Sequence, residues 1–150
     1  MKTMYILLTR SHTFLSRLVH ILTADPYTHV SLAFQEDLKK VYSSSRKNGL
    51  TMFPAGPCIE NIYGGLYLKH SDIPCALYEL EVEDKVYEIA KREAKQIIDR
   101  SDDYHFNILG LLFCMMNISL RRRRSYFCSQ FVGEILSKSS AVEFPKDFNI

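Results

Sequence analysis

The chain has 150 residues, 47% hydrophobic and 24% charged, proportions that suit one domain over residues 1–150 and exclude a wholly disordered chain. Nineteen Lys and Arg stand against seventeen Asp and Glu, and a formal charge of +2 gives no reason to expect nucleic acid as a partner. Four cysteines, Cys58, Cys75, Cys114 and Cys128, are too few for a disulfide scaffold and lack zinc-finger spacing, so neither a metal nor a cofactor is expected.

In chain order, Met4 to Leu8 is a short apolar run suited to a buried strand, too short for the core of a secretion signal. Ser11 is placed to cap a helix in which Leu15, Leu18, Val19 and Leu22 repeat at helical spacing and which Pro26 ends. His29 to Phe34 alternates large apolar residues with His29, Ser31 and Ala33 on the other face. After a polar turn, Val41 to Arg46 reads as the hairpin partner of that strand. Asn48 to Gly65 gathers glycines and prolines and reads as a long irregular connection. Ala76 to Val82 alternates again. Glu83 to Arg100 predicts a long amphipathic helix. Asn107 to Met116 predicts a buried helix, far shorter than the ~20 residues that span a bilayer. Phe127 to Ser137 puts Cys128, Phe131, Val132, Ile135 and Leu136 on one helical face. Together these elements make an α+β domain with no transmembrane segment, expected in the cytoplasm with free thiols.

The sharpest local feature is Ser125 to Val132. A helix beginning near Phe127 puts the Cys128 thiol in its first turn, where unpaired N–H groups and the helix dipole favour thiolate. The plainer alternative is that Cys128 is the first apolar residue of the buried face. His29 opens a strand on the face of the small residues Ser31 and Ala33, which would leave room for a group approaching the imidazole. A cysteine at a helix start and a histidine at a strand start are what Cys–His nucleophilic catalysis uses. Cys58, Cys75 and Cys114 read as packing residues, and His12, His20, His70 and His105 share no metal-binding spacing.

Thr28 to Phe34 early, with Tyr126 to Val132 late, resembles the circularly permuted NlpC-like branch of the papain-like cysteine hydrolases, which includes YiiX-like bacterial proteins and lecithin retinol acyltransferase relatives. In that branch the histidine strand precedes the cysteine helix, as here. Tyr5 to Arg10, Val41 to Ser43 with Arg46 and Lys47, Glu60 to Ile62 and Asn107 to Gly110 extend the resemblance over most of the chain.

The resemblance implies a small antiparallel sheet, curved or barrel-like, packed against a helix that presents the cysteine at its N-terminus. It implies Cys128 as nucleophile, His29 as base and Tyr126 as a hydroxyl near the oxyanion, with an ordinary core tyrosine as the alternative. Relatives place the group that orients the imidazole on the strand after the histidine strand. Ser43 is the nearest match here, with Gln35, Glu36 and Glu60 as alternatives, or a bare dyad oriented by a backbone carbonyl. Arg121, Arg122, Arg123 and Arg124 precede the cysteine motif and read either as a solvated loop or as a contact for an anionic substrate or membrane surface.

The expected activity is that of a cysteine-dependent hydrolase or acyltransferase, attacking an amide, ester or thioester of a small peptide or lipid-like acyl substrate. Two alternatives stand beside it: a papain-like binding domain that has lost the reaction, and a lipid acyltransferase in peripheral contact with a membrane.

Overall fold

The computed structural model describes residues 1–47, 55–70, 72–116 and 124–145. Its centre is an antiparallel sheet of five strands: β1 (Lys2–Thr9), β2 (His29–Ala33), β3 (Val41–Arg46), β4 (Ala55–Glu60) and β5 (Cys75–Val82), in the order β4-β3-β2-β1-β5. Among the described residues the sheet does not close, so the barrel-like form is not adopted; β4 and β5 are its edges. Register is fixed by which side chains reach the core. Ile6 faces Leu32 and Tyr78, and Leu32 faces Tyr42, so one sheet face is apolar across four strands.

That face is covered by α3 (Asp84–Asp99) and α5 (Cys128–Lys138). Met4, Leu32, Phe34 and Val82 from the sheet side meet Tyr87, Ala90, Ala94 and Ile97 of α3 and Phe131, Val132, Ile135 and Leu136 of α5. Ala90 and Ala94 bring the α3 backbone close to the sheet, while Phe131 and Ile135 are fully buried and each contributes about 2–3 kcal/mol by leaving water. Tyr87 spends its hydroxyl on the Phe34 carbonyl at 2.6 Å, which keeps its buried end satisfied.

The opposite face carries a smaller cluster of Leu7, Ala33, Leu38 and Val41, with Tyr5 and Ile62 against it. Ser31 and Ala33 are fully buried there.

Several expectations are corrected. The first helix, α1 (Phe14–Thr23), is capped by Thr13, whose Oγ1 accepts from Ser16 N, and not by Ser11. Leu22, expected on its apolar face, is exposed. The glycine- and proline-rich stretch holds the edge strand β4 within its described part and ends where a short helix α2 (Gly65–Lys69) begins; residues 48–54 lie outside the described residues. Proline lacks an N–H donor and is tolerated on an edge strand, which is where Pro57 sits. A further helix, α4 (Ile108–Met115), is found as expected but is not buried: Leu109, Leu112 and Phe113 are exposed. Its continuous apolar sequence hides the period that would have told one face from the other. Cys75 and Cys114 are exposed, not packed.

Candidate active site

Two short strands missing from the sequence reading, β6 (His105–Phe106) and β7 (Ser125–Tyr126), pair in parallel beside β4 and deliver the chain into α5. The turn is held from both sides. Tyr126 O accepts Ser44 Oγ at 2.8 Å and Asn107 N at 3.1 Å. One buried acceptor, Gln130 Oε1, takes Phe127 N at 3.4 Å and Asn107 Nδ2 at 3.1 Å, while Asn107 Oδ1 caps α4 through Gly110 N at 2.9 Å. A side chain at position 110 would put its Cβ 2.0 Å from Asn107 Nδ2, so glycine is required for that approach.

So anchored, α5 begins at Cys128, placing the sulfur at N–H groups that have no partner within the helix. The His29 ring and the backbone N–H groups of Val30 and Ser129 stand close enough to the Cys128 sulfur to act on its charge. Burial pushes the thiol up, but the imidazole contact, the imidazolium charge and the two N–H groups outweigh it, and the Cys128 pKa lies below its ordinary value. Cys128 is half-buried as a residue.

His29 opens β2, opposite Thr9 of β1. Its Nε2 stands 3.3 Å from Glu60 Oε1, and the two side chains are only 19% and 15% exposed. Burial alone would lower the His29 pKa; the Glu60 charge and the Cys128 contact reverse this and hold it well above 6.5.

Glu60 is a buried anion with its own support. Ser43 Oγ donates to Oε1 at 2.8 Å, Ser45 Oγ donates to the same oxygen, and Tyr67 of α2 donates to Oε2 at 3.2 Å. Burial raises a carboxyl pKa, yet the imidazolium and the two serines bring Glu60 down to about 2. Burial first, and then the nearby anion, push the Tyr67 hydroxyl up, so it stays a donor.

Of the residues picked out in the sequence, Cys128, His29 and Glu60 therefore come together. Ser43 Oγ meets the carboxylate at 2.8 Å, and of the two candidates it is Glu60 that stands against the imidazole. A hydroxyl offers the imidazole no charge, and Glu60 reaches it from β4, one strand further along. Gln35 and Glu36 are exposed beyond the far end of β2. Tyr126 stacks on Tyr104 at 5.5 Å and meets Phe131 edge-on at 6.3 Å, the contacts of a core tyrosine. Arg124 is exposed, with φ of 57°, and Arg121, Arg122 and Arg123 lie outside the described residues.

Sequence reasoning missed Tyr67 and Ser45. Tyr67 sits on a helix disguised by glycines, and Ser45 is one of three serines whose alternation on β3 assigns Ser43 and Ser45 to Glu60 and Ser44 to the cysteine turn. Cys58, beside Ser45, is pushed up by burial and by the Glu60 charge and is a poor nucleophile. No protein-family model matches the chain, and no curated protein matches it.

Proposed function

We propose that this protein is a thiol hydrolase or acyltransferase of permuted papain-like type, acting on amide, ester or thioester bonds through an acyl-enzyme on Cys128. The observation that carries this reading is the grouping of Cys128, at the start of α5, with His29 and the buried Glu60, whose carboxylate stands 3.3 Å from His29 Nε2.

In the proposed cycle His29 holds the thiol proton while the Cys128 sulfur attacks the substrate carbonyl carbon. The carbonyl π pair moves onto oxygen, and first-turn N–H groups of α5 are the donors nearest to that oxyanion. As the tetrahedral centre collapses, the imidazolium gives its proton to the departing amine, alcohol or thiol, leaving a thioester on Cys128. Water, deprotonated by His29, or another acyl acceptor then releases the acyl group. Glu60 acts through His29, holding the ring and stabilising its charge.

A binding domain without activity was suggested by the absence of a strong orienting group on β3. The 3.3 Å contact of Glu60 with His29 Nε2 supports the catalytic reading over that alternative. A lipid-like acyl substrate is favoured over a polar peptide by the apolar residues exposed on the α1 and α4 helices, Phe14, Ile21, Leu22, Leu109, Leu112 and Phe113. Among the described residues no helix is long and apolar enough to cross a membrane, so such a substrate would be met at a surface. All four cysteines are free, which suits a reducing compartment such as the cytoplasm.

The test is chemical. Iodoacetamide labelling followed peptide by peptide is expected to modify Cys128 ahead of Cys58, Cys75 and Cys114. Acetyl and longer acyl p-nitrophenyl esters are expected to give a burst of nitrophenol with the acyl group on Cys128. His29→Ala should slow both by about 10²–10⁴-fold, the usual contribution of a general base. Labelling of Cys128 no faster than free cysteine, together with no burst, would sink the proposal.

A further inference from the structure

A second cluster of reactive side chains lies apart from the cysteine, at the connection between β1 and α1. We propose that His12, His70 and Asp72 form a site for a divalent transition metal, zinc by ligand chemistry, tying that connection to the turn between α2 and β5.

Each of the three offers one ligand atom, and all of these atoms lie within 4.8 Å of one another. His12 Nε2 is 3.2 Å from Asp72 Oδ1. Two ligands on a tetrahedral zinc with bonds of about 2.0–2.1 Å stand about 3.3–3.4 Å apart, so this pair already has the edge of a coordination tetrahedron. An ordinary surface ion pair needs only those two groups. Here the His70 ring is brought edge-on to His12, with centroids 5.4 Å apart and planes at 61°. Two imidazoles and one carboxylate are a zinc-type donor set, harder than a thiolate site and softer than the all-oxygen sites of calcium or magnesium. His12 and Asp72 are exposed, which leaves a fourth position for water.

The three ligands come from two loops that the backbone already holds together, since Arg10 N donates to Pro74 O at 3.1 Å. His70 is the residue that ends α2, a helix of five residues with no side-chain N-cap. Such a helix is weak by itself and depends on tethers. An ion on His70 supplies one, and it fixes the helix from which Tyr67 donates to Glu60. No sequence motif announces the site, because His12 and His70 are 58 positions apart (70 − 12) and meet only through the β1–β5 pairing.

The proposal is tested on the full chain with Cys128 replaced by serine and the remaining thiols alkylated, so that sulfur cannot bind the probe. Titration with zinc chloride in a calorimeter is expected to show one equivalent per chain. His12→Ala, His70→Ala and Asp72→Asn should each weaken binding by about tenfold or more, the least that loss of a ligand-supporting group costs a metal site. Zinc should raise the midpoint of thermal unfolding of the parent and leave that of His70→Ala unchanged. Less than one equivalent bound, or stoichiometric binding unaltered in His70→Ala, overturns the site. Because Cys128 is absent from this protein, the outcome is independent of the acyl-enzyme chemistry.

Discussion

At the scale of single residues the decisive group is Glu60, because its charge sets the two ionisations on which a nucleophilic sulfur depends. The thiolate–imidazolium pair persists from the pKa of Cys128, lowered by His29, up to the pKa of His29, raised by Glu60. In Glu60→Gln the amide oxygen in the place of Oε1 can still accept from Ser43 and Ser45, while the NH2 group in the place of Oε2 can donate to the Tyr67 hydroxyl, so the side chain keeps partners while the charge is lost. His29 should then titrate lower, narrowing the window from its upper end. The ring resonances of His29 followed by NMR over roughly pH 5 to 9 are expected to titrate at lower pH in Glu60→Gln, each unit being a factor of ten in the protonated population. An unchanged profile would mean that the carboxylate does not act on the ring. Cys128 and His29 are legible in the sequence because each opens an element whose pattern can be read locally. Glu60 is legible only as one of several carboxyl groups, since the 3.3 Å contact depends on how β2, β3 and β4 pair.

At the scale of elements, the cysteine turn is held by one polar hub, Asn107 with Gln130, and that hub is the place to break it. Gln130→Ala removes the acceptor shared by Phe127 N and Asn107 Nδ2, and loss of a buried partner costs about 1–3 kcal/mol. Gly110→Ala drives a methyl into Asn107 and costs about 1–3 kcal/mol by overpacking. Both act on the same asparagine, so urea unfolding of the double variant should show less destabilisation than the sum of the singles. Simple additivity would mean that the two contacts are independent supports. The helices of this hub are legible from their apolar residues, but the hub is not, because asparagine and glutamine carry no periodic signal. The same limit hides β4: glycine and proline locally favour turns, and only pairing with β3 makes Ala55 to Glu60 a strand. The apolar run of α4 is legible as a helix, while its exposure depends on what the rest of the fold leaves uncovered.

At the scale of the whole molecule, the buried carboxylate makes the fold sensitive to acid. Glu60 ionises near 2 when folded and near 4.5 when exposed, so its depressed pKa contributes stability that is complete above about 4.5 and is lost as the pH falls toward 2. The imidazole does not blur this range. His29 is raised above 6.5 in the fold, so below that value it is protonated in folded and unfolded chains alike, and its own contribution disappears only as the pH rises through the folded value. The exposed carboxylates Asp37, Asp72, Asp84 and Glu88 are also lowered, but solvent screens them and their share is small. Working with Cys128→Ser removes the thiol titration. In that background, the urea-unfolding free energy should decline steadily from about pH 4.5 to the acid limit of folding, and adding Glu60→Gln should flatten the decline. Parallel slopes for the two proteins would show that the charge of Glu60 is not what makes the fold sensitive to acid.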